Sequence, residues 1–212
     1  GALAAALAEM VARLTIGKKG CEEAADEMKE IISRAAALRA ELLDEITRDS
    51  TSFSAYMEAL ALPKDTDELK DIRRRAMQEA LKKAAEVPLH VAVTAAKIMP
   101  MAAALVKKGN PNAVTDGIVA AMMTRTAVLG ALLNVKINLG SIRDETYVAD
   151  RKTKIREIET AIIRDEAAVL ANSSFRPSVC VPELFRCGLI FFALSFLKEV
   201  QCLDVSLTYH NI

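Results

Sequence analysis

The chain has 212 residues, which suits one domain with an appendage and would crowd two. Its 28 Lys+Arg balance 28 Asp+Glu, which argues against a general nucleic-acid binder, and 52% apolar with 26% charged residues excludes a disordered chain. With only 8 Gly, 6 Pro, 4% aromatics and no Trp, the elements should be long and the core made of small and aliphatic side chains.

Apolar spacing is helical almost throughout. Leu3, Leu7, Met10, Val11 and Leu14 form one stripe of a first helix, closed by Gly17 and Gly20 with Lys18 and Lys19 near its negative end. The Ala-rich start carries Glu9 and Arg13 and reads as a helix, not as a targeting segment. A second helix runs from about Glu22 through Met28, Ile31, Leu38 and Ile46 toward Leu60, and Pro63 ends it. Asp49, Ser50, Thr51 and Ser52 interrupt its pattern, either as a break or as a polar face turned inward for a purpose. Tyr56 and Met57 read as packing residues.

Asp65 with Glu68 resembles an acidic N-cap and its capping-box partner. The next helix is expected from about Asp67 to Lys107, bent near Pro88 and Pro100, and stopped by Gly109. Asn110-Pro111 gives the N-cap and first residue of another helix, which reaches Leu139 and stops at Gly140. Ser141 and Asp144 start a last helix, to about Leu170, with a strongly charged outer face. No alternating strand pattern of useful length precedes residue 171. The expected fold is all-α, a bundle of about five long helices over residues 1–170.

Composition changes at residue 171. Five of the six Phe and three of the four Cys fall in 171–212, an atypical C-terminal segment. Its apolar run 189–197 is too short to span a bilayer, which takes about 20 residues. The tail reads either as an aberrant C-terminus or as a genuine docking helix. Cys21, Cys180, Cys187 and Cys202 form no CxxC pair and no zinc spacing with His90 and His210. Free thiols in a reducing, cytoplasmic compartment are expected. His90, inside an apolar helix, reads as a satisfied core or interface histidine. Neither GxGxxG nor GxxxxGK[ST] occurs.

Six stretches in order carry a resemblance: 1–10 (GALAAALAEM), 14–19 (LTIGKK), 49–56 (DSTSFSAY), 62–65 (LPKD), 78–89 (QEALKKAAEVPL) and 133–139 (LNVKINL). Together they resemble the cyclodeaminase domain of formimidoyltransferase-cyclodeaminase and its stand-alone relatives, including methenyltetrahydrofolate cyclohydrolases. The resemblance implies an all-helical protein that assembles as a homodimer or larger oligomer and takes a tetrahydrofolate derivative as substrate. It implies no metal and no bound prosthetic group. A formimidoyltransferase domain is a further candidate partner, whereas nucleic acid and membrane are not expected partners. The cyclodeaminase closes 5-formimidoyltetrahydrofolate to 5,10-methenyltetrahydrofolate and releases ammonia; the cyclohydrolase interconverts the methenyl and 10-formyl forms. The family's first helix follows a Pro-Gly-Gly-Gly-Ser-type loop that the sequence from Gly1 does not contain, and a chain without it is expected to bind poorly. The tail after Leu170 does not match the family's last helix.

Cyclodeamination needs a proton taken from N10 and one delivered to the departing nitrogen, and a single carboxyl group can do both in turn. Asp49 aligns with the family's catalytic aspartate, although the family's Asp-x-Asp pattern is incomplete, with Thr47 two residues earlier. Asn110 is carried over as a substrate contact. Asp116 serves either the helix dipole or the amino and N–H edge of a pterin. Asn134 and Asn138 share a helix face and either pair across helices or meet a ligand. Lys18 and Arg73 are the cations assigned to the folate glutamate, Arg73 in the family's Lys-x-x-Arg register. The alternative for Lys70, Arg73 and Arg74 is a solvated face paired with Asp67 and Asp71. Two other readings compete with an enzyme: a non-catalytic helical oligomerisation module, and a membrane-associated protein using residues 184–197.

Overall fold

The computed structural model describes residues 1–172. The expectations for the tail, including the 189–197 run and three of the four cysteines, lie outside the described residues. Among those residues there is no strand and there are six α-helices: α1 Ala2–Thr15, α2 Ala25–Ala61, α3 Asp67–Ala96, α4 Met99–Lys108, α5 Val114–Leu139 and α6 Glu145–Asn172. Short 3-10 turns precede α2 and α5.

Helices α1, α2, α3 and α5 pack in a ring, and α4 and α6 pack against α5 from outside it. This position accounts for the apolar residues on most sides of α5, while Val119, Met122, Leu133 and Ile137 stay exposed. The face of α1 toward the ring is a row of alanines: Ala4, Ala5, Ala8 and Ala12 are fully buried, with Val11 among them. At the end of α1, Gly17 and Gly20 take φ +76 and +86, a conformation that side chains resist.

α2 is 37 residues long, about 55 Å. Its first half buries Met28, Ile31, Ala35, Leu38 and Leu42, and its last buried residues are Glu45 and Ala59. The first buried residue of α3 is Ala80. The end of α2 and the start of α3 therefore form an antiparallel arm that leaves Ile46, Phe53, Met57, Leu60 and Ile72 exposed. Met57 was expected to pack and is 46% exposed, because its turn of α2 lies on this arm. Tyr56, one residue earlier, packs half-buried against the core.

Asp49–Ser52 neither break α2 nor turn inward. Ser50, Thr51 and Ser54 donate their hydroxyls to carbonyls four residues back, and Ser52 donates to the Asp49 carbonyl at 2.8 Å, so the hydroxyls are satisfied while the helix continues. The N-cap of α3 is Thr66 rather than Asp65: its Oγ1 accepts from the Leu69 N–H at 3.3 Å.

The helix expected over 67–107 is divided. Lys97 and Ile98 form a turn, and Pro100 sits in the first turn of α4, where its missing N–H costs nothing. Pro88 stays inside α3. It removes the hydrogen bond due to the Ala84 carbonyl, and Asn138 Nδ2 donates to that carbonyl at 2.8 Å instead. By length and composition alone, the stretches 67–108 and 111–139 would pass for membrane spans; here they are packed as bundle helices.

Candidate active site

Glu41, Glu45 and Asp49 stand four residues apart on α2 and so share one face. Opposite them α3 presents Glu86, His90 and Thr94, again at helical spacing. His90 Nε2 lies 2.9 Å from Glu41 Oε1 and 3.6 Å from Glu45 Oε1. Thr94, fully buried, donates its hydroxyl to Glu41 Oε1 at 2.9 Å. That bond, joined by the one from His90, holds the Glu41 carboxyl below its usual range against the opposing effect of burial.

Glu45 is only 3% exposed. Its Oε1 meets Arg48 at 2.5 Å, and its Oε2 is buried with no partner among the described residues. The N-terminal end of α1 adjoins this row, since Gly1 packs against Leu42 and Ala95.

Beyond His90 a groove of ≈ 470 Å³ opens between α2, α3 and α6, walled by Arg48, Lys83, Glu86, His90 and Tyr147 among others. That size suits a small-molecule ligand. Glu86 Oε1 accepts from the Tyr147 hydroxyl at 2.5 Å and from Arg151 Nε at 2.7 Å. The Arg151 guanidinium also lies 4.7 Å from the Tyr147 ring centroid. Burial first, and the Glu86 carboxylate second, push the Tyr147 phenol up to about 12. The groove thus has fixed cations and carboxylates on its walls and an imidazole at one end.

The residues expected from sequence are not all gathered here. Asp49 is exposed on the arm, one turn beyond Glu45, and its carboxylate has no partner among the described residues. Asn138 lies beside α3 but donates to the Ala84 carbonyl, which is the cross-helix pairing of the two alternatives. Asn134, one turn earlier on α5, is exposed. Arg73 donates from Nε to the Leu60 carbonyl at 2.9 Å and so ties down the end of α2. Lys70 and Arg74 form exposed pairs with Asp67 and Asp71, each at 2.8 Å, as the solvated-face alternative has it.

Lys18, Asn110 and Asp116 belong to the other end of α1. Lys18 is half-buried in the turn after Thr15. Asn110 is a latch: its N–H donates to Thr15 Oγ1 at 2.9 Å, its Nδ2 to the Leu14 carbonyl at 2.9 Å, and its Oδ1 accepts from the Asn112 N–H at 3.0 Å. Asp116 is half-buried in the first turn of α5, and burial raises its carboxyl above the usual range.

Sequence reasoning missed Glu41, Glu45, Glu86, Tyr147 and Arg151. A signal existed for the first two, since a carboxylate one turn beyond Leu38 and Leu42 falls close to the buried stripe of α2. His90, read as a satisfied core or interface histidine, has its Nε2 paired with Glu41 and stands half-exposed at the groove wall. Cys21 is a buried free thiol. Among the described residues no group of three or more His, Cys, Asp or Glu is arranged to hold a metal ion.

Comparison with known proteins gives a consistent result. A family model described as formiminotransferase-cyclodeaminase matches residues 1–157. The methenyltetrahydrofolate cyclohydrolase of Methylorubrum extorquens is 36% identical over 159 residues, 75% of this chain and 75% of that protein. The formimidoyltransferase-cyclodeaminase of Sus scrofa is 38% identical over 157 residues, 74% of this chain but 29% of that protein. Among solved structures, the formiminotetrahydrofolate cyclodeaminase of Thermotoga maritima superposes with a TM-score of 0.72 at 31% identity, covering 81% of this chain and 82% of that one.

Proposed function

The chain belongs to the formiminotransferase-cyclodeaminase family, and we propose that it closes 5-formimidoyltetrahydrofolate to 5,10-methenyltetrahydrofolate with release of ammonia. The observation that supports this reading is the family match across residues 1–157, joined by likeness in both sequence and fold to proteins named for folate chemistry. A second reading, methenyltetrahydrofolate cyclohydrolase, is favoured by the Methylorubrum relative, which this chain covers over most of its length. Both chemistries act at the one-carbon unit of a tetrahydrofolate derivative, with N10 or water as the nucleophile.

In this proposal Asp49 takes the N10 proton. Its carboxylate has no partner among the described residues and is carried on the same α2 face as Glu41 and Glu45. Asp116, half-buried in the first turn of α5, offers carboxyl oxygens that suit the amino and N–H edge of a pterin. Lys18, Arg73 and Asn134 remain candidates for the folate tail. Asn110 and Asn138 are engaged in the fold and leave the proposed set.

A homodimer is part of the same proposal. Val119, Met122, Thr126, Gly130, Leu133 and Ile137 make an exposed stripe along α5 at spacings of three and four. Leu43, Ile46, Ser50, Phe53, Met57 and Leu60 make another along α2. Apolar stripes at this spacing are what a second helical surface covers. A formimidoyltransferase domain, as in the name of the Sus scrofa relative, is a further proposed partner, and a reducing cytoplasm the proposed setting.

The test is to give the protein 5-formimidoyltetrahydrofolate and follow methenyl absorbance, then to give it the methenyl form and follow its loss. Turnover of the first alone supports the cyclodeaminase, and of the second alone the cyclohydrolase. A folded protein that turns over neither refutes the proposal.

A further inference from the structure

We propose that His90, oriented by Glu41, is a catalytic residue of the groove that delivers the proton to the departing nitrogen. This rests on the folate reading above and deepens it.

Glu41 is ionised at neutral pH, since its carboxyl is held below the usual carboxylate range. A carboxylate only accepts, so the 2.9 Å contact to His90 Nε2 requires the proton to be on that nitrogen. The tautomer is thereby fixed. Nδ1 becomes the working nitrogen, and it has no partner among the described residues although His90 lines the groove. Glu45 Oε1 lies 3.6 Å from the same Nε2, so both glutamates face that nitrogen and neither faces Nδ1 within bonding distance.

Glu45 also separates this arrangement from an ordinary surface ion pair. A carboxylate that is 3% exposed with Oε2 unbonded is costly unless something else meets it. Glu45 does not itself line the groove, but its Oε1 contacts two residues that do, Arg48 and His90.

The step balances as follows. N10 attacks the carbon of the protonated formimidoyl group, an amidinium. The amidinium nitrogen keeps the electron pair of the C=N bond and becomes neutral, and the N10 proton passes to Asp49, about 6 Å along α2 from Glu45. The resulting tetrahedral carbon carries N5, N10 and an amino group. Imidazolium Nδ1–H gives its proton to that amino group, the carbon–nitrogen bond breaks, and ammonia departs with the electron pair. The N5 lone pair closes the methenyl cation. His90 then regains a proton and Asp49 loses one, so no net proton is consumed.

The experiment compares wild type with His90→Ala and Glu41→Gln on 5-formimidoyltetrahydrofolate, with and without imidazole in the medium. His90→Ala should lower kcat on the order of 10²-fold with KM little changed, and added imidazole should restore part of the loss. Glu41→Gln keeps its shape and should lose less, about tenfold, with no response to imidazole. A His90→Ala enzyme within twofold of wild type overturns the assignment, as does a loss that imidazole leaves untouched. Should His90→Ala not fold, Glu41→Gln at wild-type kcat overturns it by itself. Wild type inert on both folates means that the folate reading has failed, and this inference falls with it.

Discussion

Pro88 and Asn138 lie on different helices and make one interaction between them. Proline has no N–H to give the Ala84 carbonyl, and Asn138 Nδ2 replaces it at 2.8 Å. Replacing Asn138 by Ala leaves a partly buried carbonyl unpaired, which costs about 1.5 kcal/mol. For a domain of this size that is a fall in Tm of about 3–6 °C. In a Pro88→Ala background, residue 88 regains its N–H and the helix bonds the Ala84 carbonyl itself. The same Asn138→Ala change should then cost only its packing, about 0.5 kcal/mol, so that the cycle gives a coupling near ~1 kcal/mol. Any cavity left by trimming the buried Pro88 is common to both backgrounds and cancels. Urea or thermal unfolding of the four proteins measures the coupling. Additivity within about 0.3 kcal/mol would refute the claim that Asn138 exists to serve the proline.

Other consequences are open to measurement. Asp49→Asn should lower kcat on the order of 10²- to 10⁴-fold while folate affinity and Tm stay at wild-type values; unchanged turnover removes Asp49 from the chemistry. Paired Leu133→Lys and Ile137→Lys substitutions on the exposed α5 stripe should give a monomer by light scattering, and an undiminished mass would place the dimer contact elsewhere. Tyr147 should titrate near 12, apart from an ordinary tyrosine near 10, by phenolate absorbance. Because the folded state raises this pKa, its contribution to stability is complete below pH 10 and is lost as pH climbs toward 12. Glu86→Gln should bring the midpoint down and narrow that window; no movement would deny Glu86 its part in holding the phenol neutral.

Punctuation residues made the fold legible. Gly17, Gly20, Pro63, Gly109, Asn110-Pro111 and Gly140 all lie between α-helices, because each acts within a few residues of itself. Errors arose where a local cue had two outcomes. Pro100 reads equally as a bend and as the first turn of a new helix, and Asp65 and Thr66 are both good caps one residue apart. The Ser-rich stretch after Asp49 is unfavourable in isolation and reads as either a break or an inward polar face, yet its hydroxyls fold back onto a helix that continues with them outward. The groove was less legible for a different reason. Glu41 meets His90 across 49 residues, and Glu86 meets Tyr147 across 61. Spacing within one helix shows which residues share a face, not which face of another helix it meets. Asn138 was noticed for being polar among apolar neighbours, and the proline that explains it lies on another helix.

The alanine row of α1 limits how this sequence can change over time. A methyl group has no rotamers to adjust, and Ala4, Ala5, Ala8 and Ala12 are all completely enclosed. Any heavier side chain there must wedge two helices apart, a strain of about 1–3 kcal/mol per site. Such positions tolerate glycine or serine and little else. Divergence should therefore accumulate on the arm and along the outer faces, while this short first helix stays close to its present spelling.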